Sequence, residues 1–288
     1  MNSSIYYCKI FDNNANKGLC NQLFALVSGI IIAIKNKKKT IILDYFLIDY
    51  LKTQFSAISN VINMQAFNLF LQTHYHISIY DRTIVPNHES LPANLFQYHF
   101  YWINGLDRNM FDHIISNIPF APFLKKSVND FLQPKIISSN QKINVLHLRL
   151  EEDAFDHWSK QNHMNKSRFQ EIISNKYIDL INKHLNKEDI NIILSFSTQN
   201  KVINYLHDQG YQYFFCEKRF SGREVNAAVD LIIGTHCNNI FIGNFNLEHL
   251  NGSSLSYVLW SRLKHKSITN IFIDLDHIFE EPVIKSIN

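Results

Sequence analysis

The sequence has little of what marks a disulfide-stapled, zinc-binding or membrane protein. Its four cysteines, Cys8, Cys20, Cys216 and Cys237, form no C-x-x-C pair and no close cluster. This pattern argues against a zinc site and a disulfide framework, and it favours a reducing compartment. The longest apolar stretch, residues 24–34, is shorter than the roughly 20 residues that a membrane-spanning helix needs. The first residues do not read as a signal peptide, so we expect a cytoplasmic protein without a membrane span.

An excess of one charge is also missing. Lysine and arginine number 28 against 25 aspartate and glutamate residues, and the net charge of +3 is spread along the chain. We therefore expect no nucleic-acid partner. With 46% hydrophobic and 13% aromatic residues, the chain is too apolar to be disordered. Its 288 residues suit one large α/β domain or two smaller ones.

Phosphate-binding glycine motifs are absent as well. The loop before the first helical pattern lacks the third glycine of G-x-G-x-x-G and the G-K-[ST] of a P-loop, which disfavours dinucleotide and Walker-type sites. What the loop does contain is Gly18, where the backbone can approach a ligand closely. Asn21 and Gln22 follow in the first helical turn, where their amides can donate and accept hydrogen bonds.

Short β-rich runs alternate with helical patterns along the chain. A strand over 5–11, a helix over 19–36 and a strand over 40–47 predict a βαβ unit. Residues 74–80 resemble a further strand. In the second half the predicted strands cover 143–149, 191–197, 211–216, 239–243 and 269–275. This alternation predicts an α/β fold with parallel sheets, divided into two Rossmann-like halves, 1–138 and 139–288, with a cleft between them.

The strand over 143–149 ends in a histidine and an arginine. Period two places His147 and Arg149 on the same face of the strand, at the edge where parallel sheets bind ligands. The planar guanidinium of arginine suits a diphosphate. The alternative interpretation is an ion pair of Arg149 with Glu151, Glu152 or Asp153, which follow it at once.

Two further strand ends lead into helix starts that could bind an anion, because helix N-termini expose free N–H groups. The first carries Ser197 and Thr198. The residues at the second are Gly243, Asn244, Ser253, Ser254 and Leu255. The alternative for Thr198 and for Ser253 is simple capping of the helix N-terminus.

Two other polar features have competing interpretations. Asp230 lies in an otherwise apolar helical pattern, where a carboxylate is costly unless it is paired. It could accept a buried donor, or it could bind two N–H groups of a guanine base. His74 and His76 have metal-like spacing on the predicted strand, but no acidic residue or cysteine lies nearby in sequence. We therefore expect no metal site.

Three segments together resemble a known family. They are KGLCNQLFALVSGI from residue 17, NVLHLRLEEDAFDHW from residue 144, and VNAAVDLIIGTHCNNIFIGN with NGSSLSYVLW from residue 225. They resemble the signature blocks of the GDP-fucose-dependent fucosyltransferase superfamily. That superfamily includes protein O-fucosyltransferases, plant-type O-fucosyltransferase-like proteins and bacterial α-1,2- and α-1,6-fucosyltransferases.

The resemblance implies a GT-B-type glycosyltransferase. The expected reaction is inverting transfer of L-fucose from GDP-fucose to a glycan or protein hydroxyl, with no metal and no other cofactor. It further implies that Arg149 binds the β-phosphate, His147 sits beside the nucleotide, Asp230 helps to read guanine, and Ser253 and Ser254 hold the diphosphate. The residues expected to line the cleft near fucose and the acceptor are Gly18, Asn21 and Gln22.

The segments also depart from the family pattern. Lys17 and Cys20 replace the usual glycines, Leu255 replaces the usual phenylalanine, and residues 245–251 lengthen the loop before Ser253. The alternatives are a donor with another deoxyhexose, such as rhamnose, and a non-catalytic protein that binds nucleotide sugars. An inverting mechanism also needs a base or a strongly dissociative transition state. The candidate bases are Glu152, Asp153 and Asp12.

Overall fold

The structure, a computed structural model, describes residues 5–9, 18–43, 46–49, 54–81, 94–95, 107–136, 140–216 and 220–286. The chain divides into two compact units. Unit 1 comprises Met1–Asn129 and Lys218–Ile232, and unit 2 comprises Asp130–Glu217 and Ile233–Asn288. This grouping differs from the division at residue 138 because the segment Lys218–Ile232 groups with the N-terminal residues.

The strands of unit 1 are β1 (Ile5–Lys9), β2 (Thr40–Leu43), β3 (Phe46–Asp49), β4 (Gln54–Ser56), β5 (Ser78–Asp81) and β6 (Asn94–Leu95). Four of them form a parallel sheet with the order β5-β2-β1-β6. An antiparallel hairpin, β3-β4, and a short 3-10 helix at Ile58–Asn60 accompany the sheet. The helices that begin in this unit's first segment are α1 (Leu19–Lys35), α2 (Met64–Tyr75), α3 (Arg108–Asn117) and α4 (Pro122–Leu132).

Helix α1 connects the two central parallel strands of unit 1. Its sequence is apolar on every side, and nearly all of its residues are buried. Lys35 lies in its last turn, where a cation is favourable beside the negative end of the helix dipole. The predicted βαβ unit is therefore confirmed, although β2 ends at Leu43 rather than at residue 47.

The predicted strand over residues 74–80 is wrong in its first part. Helix α2 continues to Tyr75, and His76 caps its end with a left-handed backbone of φ 55°. Strand β5 begins only at Ser78. A residue in this conformation ends a helix, so His74 and His76 lie at a helix terminus and do not alternate along a strand.

The strands of unit 2 are β7 (Ile143–His147), β8 (Ile190–Leu194), β9 (Tyr213–Phe215), β10 (Ile240–Gly243), β11 (Phe245–Asn246), β12 (Asn251–Gly252), β13 (Thr269–Phe272) and β14 (Val283–Ser286). Six of them form a sheet with the order β14-β13-β10-β7-β8-β9, parallel except for β14. The helices are α5 (Glu152–Gln161), α6 (Lys166–His184), α7 (Lys201–Asp208), α8 (Arg223–Gly234), which begins in unit 1, and α9 (Ser254–Leu263).

The inner strands of unit 2 form because their sequences are short runs of mostly apolar residues. Strands β7, β8 and β10 are buried at every position, as expected for parallel strands covered on both faces. Residues of α5 and α6, including Trp158, Phe169 and Tyr177, pack into the same core. The predicted α/β class with parallel sheets is confirmed.

The strand order of unit 2 creates one topological switch point. From β7 the chain proceeds to β8 and β9 on one side, and it later returns to β10 and β13 on the other side. In open α/β sheets, connections that leave two neighbouring strands in opposite directions form a crevice at the carboxyl ends of those strands, and ligands bind there. The ends of β7 and β10 are therefore the expected ligand site.

In the described part of the chain, no helix combines the length and the apolar character needed to cross a membrane.

Candidate active site

His147 ends strand β7 at the switch point of unit 2. The side chain is buried, and its Nδ1 lies 2.7 Å from Oγ of Ser256 in helix α9. Burial, together with the nearby charge of Arg149, lowers the pKa of His147 to about 3. The imidazole is therefore neutral at physiological pH, and it can act as a hydrogen-bond donor at one nitrogen and an acceptor at the other.

Arg149 follows two residues later and forms two ion pairs. Its Nη1 donates to Oε2 of Glu151 at 2.7 Å, and its Nη2 donates to Oδ2 of Asp153 at 2.8 Å. The guanidinium carbon lies 5.9 Å from the centre of the Trp158 ring. Burial acts to lower the pKa of Arg149, but the two carboxylates outweigh it and raise the pKa overall. The ion-pair interpretation of Arg149 is thus what the structure shows, and its phosphate-binding role stays a prediction.

The two carboxylates that bind Arg149 differ in their surroundings. The side chain of Glu151 is only 13% exposed, whereas that of Asp153 is 68% exposed. Glu151 also accepts a hydrogen bond from the backbone N–H of Phe196, just after β8, at 3.3 Å. Glu151 therefore links Arg149 to the end of β8, whereas Asp153 contacts Arg149 on the solvent-exposed side.

The other candidate base, Glu152, points to a different cation. Glu152 forms an ion pair with Lys166, and the side chain of Glu152 is 77% exposed. Lys166 also contacts Asp156 at 3.0 Å. Asp12, the third candidate, lies outside the described residues. Glu152 therefore occupies a solvated surface pair, whereas Asp153 is the candidate that the structure brings next to Arg149.

The N-terminus of helix α9 lies on the other side of the switch point. Ser253 is its N-cap residue, and its side chain makes no capping hydrogen bond to the helix. Ser254 and Leu255, both half-buried, form the start of the first turn. The N–H groups of a first helical turn have no acceptor within the helix, so this terminus can donate to an anion.

Gly252 gives the chain its sharp entry into α9. Its φ of 114° is a conformation that residues with a Cβ rarely adopt, and an added Cβ would lie 2.8 Å from the carbonyl oxygen of Asn244. The N–H of Ser253 donates to that same carbonyl at 2.8 Å. Gly252 thereby places the start of α9 against the end of β10.

Gly243 and Asn244 end strand β10 inside the protein. A Cβ at Gly243 would lie 2.9 Å from Oγ of Ser256 and 2.8 Å from the ring of Phe241. The N–H of Asn244 donates to Ser256 Oγ at 2.9 Å. Gly243 is therefore needed for close packing around Ser256, and both residues support the site from within.

Tyr177 of helix α6 joins the ends of both strands. Its fully buried hydroxyl lies 2.8 Å from the carbonyl oxygen of His147 and 2.6 Å from Oδ1 of Asn244. It also accepts the N–H of Arg149 at 3.3 Å. The Asn244 amide donates to the same His147 carbonyl at 2.8 Å. We call His147, Tyr177, Asn244 and Ser256 the rim cluster.

The lengthened loop before Ser253 is an ordered hairpin of β11 and β12. The side-chain amide of Asn246 donates to Oδ2 of Asp274 at 2.5 Å, and its oxygen accepts the N–H groups of Glu248 and His249. The side chain of Asn251 donates to the carboxylate of Asp276. The insertion is therefore tied to the segment that follows β13.

Polar side chains in the loop after β8 form hydrogen bonds within the loop and to the helix that follows it. Ser197 is half-buried, and its hydroxyl donates to the carbonyl of Gln199 at 2.9 Å. The cap of α7 is Asn200, whose Oδ1 accepts the N–H groups of Val202 and Ile203. The alternative interpretation of Thr198 as the cap is therefore wrong, because the helix begins at Lys201, two residues later than that role requires.

The remaining predicted site residues lie in unit 1. Gly18 caps α1 in an extended conformation, and a Cβ there would meet no described atom within 4 Å. Asn21 is half-buried in the first turn. Gln22 is fully buried, and its amide donates to and accepts from the backbone of Leu47 at 3.0 and 2.9 Å. Gln22 thus holds β3 in place. Asp230 is half-buried in the unit 1 part of α8.

One group in the described part of the chain could hold a metal ion. It consists of Asp274, His277 and Glu280, whose ligand atoms lie within 4.8 Å of one another. Both oxygens of Asp274 already accept hydrogen bonds, from Asn246 and from the backbone of Asp276. The existing partners of Asp274 make the group an anchor for the turn after β13.

The sequence does not single out two residues of this site, Tyr177 and Ser256. They resemble ordinary helix residues, and their apolar neighbours carry no sign of a polar partner. The spacing of Ser253 and Ser256, one helical turn apart, is the single sequence signal that could have placed both hydroxyls on one face of α9.

Comparisons with known proteins identify the fold. No family model and no curated protein matches the sequence. POFUT1 in complex with GDP is similar over 94% of this chain and 98% of its own, with 9% identity and a TM-score of 0.59. The NodZ α-1,6-fucosyltransferase soaked with GDP-fucose covers 99% and 100%, with 11% identity and a TM-score of 0.56. The Se-Met fucosyltransferase NodZ from Bradyrhizobium covers 100% of both chains, with 12% identity and a TM-score of 0.57.

These likenesses extend over nearly the whole chain at very low identity. They therefore report on the arrangement of strands and helices, and they agree with the GT-B-type fold class expected from the three sequence segments. This chain has the fold of the GDP-fucose fucosyltransferases POFUT1 and NodZ.

Proposed function

We propose that this protein is an inverting, metal-independent glycosyltransferase that moves L-fucose from GDP-fucose to a hydroxyl of a glycan or protein. The observation that carries the proposal is that one switch point holds both Arg149, two residues after the end of β7, and the uncapped start of α9, which the His147–Ser256 hydrogen bond ties to β7. A fixed cation and a row of free N–H groups are what a nucleoside diphosphate requires. The fold shared with POFUT1, solved with GDP, and with NodZ, soaked with GDP-fucose, supports GDP-fucose as the ligand.

The chemistry follows from where charge develops. The bond between the anomeric carbon and the β-phosphate oxygen breaks, its electron pair stays on the diphosphate, and the acceptor oxygen bonds to the carbon from the opposite face. The guanidinium of Arg149 and the N–H groups at Ser254 and Leu255 stabilise the departing diphosphate. The acceptor proton leaves to a base, for which Asp153 is the candidate beside Arg149.

Arg149 must change partners to bind a diphosphate. With Glu151 and Asp153 it forms a group of net charge −1, which repels an anion. The exposed Asp153 carboxylate gives up its contact, because water replaces the arginine at low cost. Glu151 is largely buried and keeps the guanidinium in place. Donor binding thus frees Asp153 next to the reacting group.

The roles proposed for the unit 1 residues rest on the sequence resemblance. Asp230 reads the guanine base, and Gly18 and Asn21 line the acceptor side. A Cβ at Gly18 would meet no atom of the described residues within 4 Å, which is compatible with a closely approaching ligand.

Calorimetry without added metal tests the proposal, using GDP, UDP, GDP-fucose and GDP-mannose. We expect binding of GDP and GDP-fucose, followed by GDP release from GDP-fucose when acceptors are supplied. A response to UDP alone would favour a rhamnosyltransferase-like enzyme. GDP binding with no GDP release from GDP-fucose would favour a non-catalytic binding protein. No measurable binding of any of the four nucleotides would contradict the proposed nucleotide site.

A further inference from the structure

We infer that Ser256 is a positioning residue for donor binding: its hydroxyl fixes the tautomer of His147 that carries the ring proton on Nε2. The inference rests on the proposed function for the identity of the ligand. The tautomer itself depends only on the contacts within unit 2.

The direction of the hydrogen bonds around Ser256 supports this assignment. The N–H of Asn244 can only donate, so Ser256 Oγ accepts it at 2.9 Å. Among the described residues the Ser256 hydroxyl hydrogen has no acceptor other than Nδ1 of His147, 2.7 Å away, so donation to Nδ1 is what satisfies it. Ser256 is fully buried, so no water competes for the hydroxyl. The chain of donors therefore runs from Asn244 through Ser256 to His147.

The ring of His147 is neutral, so it carries one proton. Because Nδ1 accepts from Ser256, that proton sits on Nε2. Nε2 has no hydrogen-bond partner among the residues that the structure describes. The N–H at Nε2 remains available to a ligand oxygen at the carboxyl end of β7.

The surrounding residues leave this geometry little freedom. The absence of a Cβ at Gly243 lets the strand end lie against Ser256, where an added Cβ would come within 2.9 Å of Oγ. From the opposite side, the Tyr177 hydroxyl holds the backbone carbonyl of His147 and the side chain of Asn244. The His147 ring and the start of α9 are therefore fixed to each other through the rim cluster.

The tautomer matters because the expected ligand is an anion. An N–H at Nε2 attracts a phosphate or ribose oxygen, whereas a lone pair at Nε2 repels a phosphate. Without the Ser256 hydroxyl the ring is free to adopt the other tautomer. Ser256 thus affects binding of the nucleotide sugar indirectly, by setting the tautomer of the His147 ring.

The test compares Ser256→Ala with Ser261→Ala. Ser261 is also fully buried on α9, and its hydroxyl donates to the carbonyl of Tyr257 at 2.9 Å, away from the rim cluster. Calorimetry with GDP and ¹⁵N spectra of the His147 ring are recorded for both variants and the unchanged chain. We expect GDP binding to weaken roughly tenfold in Ser256→Ala, the loss of about one hydrogen bond to a charged ligand, and to stay within twofold in Ser261→Ala.

The ring spectra make the inference independent of the ligand. We expect protonated Nε2 and unprotonated Nδ1 in the unchanged chain, and a mixture of tautomers in Ser256→Ala. Protonated Nδ1 in the unchanged chain would overturn the inference, and this measurement needs no variant to fold. An unchanged ring spectrum in folded Ser256→Ala would overturn it as well.

The two proposals can fail separately. If the unchanged chain binds no GDP, the proposed function fails, and the ring spectra alone decide whether Ser256 sets the tautomer. If GDP binds equally to Ser256→Ala while the tautomer shifts, the proposed function stands and the positioning role for the donor is wrong.

Discussion

The Nη2 atom of Arg149 lies 2.8 Å from Oδ2 of Asp153, which lies in the first turn of helix α5. The same guanidinium contacts Glu151 at 2.7 Å through its other terminal nitrogen. A single cation is thus shared between a largely buried carboxylate and a solvent-exposed one. This unequal sharing makes Arg149 both rigidly placed and able to exchange one partner for a ligand.

Replacing Arg149 tests the centre of the site. We expect Arg149→Ala to lower the turnover of GDP-fucose by about 100-fold or more, because the departing diphosphate loses its fixed cation. Arg149→Lys restores the charge but lacks the planar fork that bridges two partners, so we expect only partial recovery. Turnover is measured as GDP release, and folding is checked by thermal unfolding.

The matched control is Arg168→Ala, which removes an exposed arginine whose partner is Glu171 on helix α6. We expect that variant to keep full activity. Undiminished GDP release by folded Arg149→Ala would remove the central claim of the proposed function.

Separate replacement of Glu152 and Asp153 distinguishes a base from a surface charge. We expect Glu152→Gln to leave kcat within about twofold, because Glu152 is exposed and paired with Lys166. Asp153→Asn removes a negative charge from the anion site and should tighten GDP binding by a few fold at low salt, less so at high salt. If Asp153 is the base, the same variant lowers kcat by about 100-fold or more.

Calorimetry and GDP release on the same preparations separate these effects. Tighter GDP binding with unchanged kcat would mean that Asp153 only competes for Arg149. A loss of kcat in Glu152→Gln would contradict the surface role of Glu152.

Chelation tests the absence of a metal requirement. We expect EDTA to leave GDP release unchanged, because the proposed charge stabilisation comes from Arg149 and backbone N–H groups. His277→Ala, which disrupts the possible metal group after β13, should also keep full activity. Activity that EDTA abolishes and manganese restores would contradict the proposed mechanism, and loss of this effect in His277→Ala would locate the ion.

The buried His147 makes stability depend on pH. Its pKa is about 3 in the folded chain, below the ordinary value of 6.5, so the unfolded state binds more protons between these values. The contribution of His147 to stability is therefore greatest above pH 6.5 and falls as pH decreases towards 3. Between pH 7 and 5 we expect this one group to remove about 2 kcal/mol from the free energy of unfolding.

Urea unfolding at several pH values, compared with His147→Gln, isolates this contribution. The variant lacks the titrating ring, so its free energy of unfolding should fall less steeply as pH decreases. Parallel pH dependences for the two chains would show that His147 is accessible to protons in the folded state.

The positions of most strands in unit 2 could be predicted from the amino-acid sequence. The apolar runs that became β7, β8 and β10 are buried on both faces, so local hydrophobicity and burial agree. The prediction failed at residues 74–76, where a helix continues and ends in a left-handed histidine. There the apolar pattern was too short to tell a helix end from a strand.

Local sequence determined which residues can carry the chemistry of this protein and where the strands end. It placed Arg149 two residues beyond His147, and Ser253 at the start of a helix. Only the tertiary structure decided which partners these residues have, because the hydrogen bond of Ser256 to His147 joins residues 109 positions apart. It likewise turned Gln22 inward to Leu47 and brought Tyr177 to the ends of two strands. Such contacts depend on how whole elements pack, and packing is not encoded in any short segment of the chain.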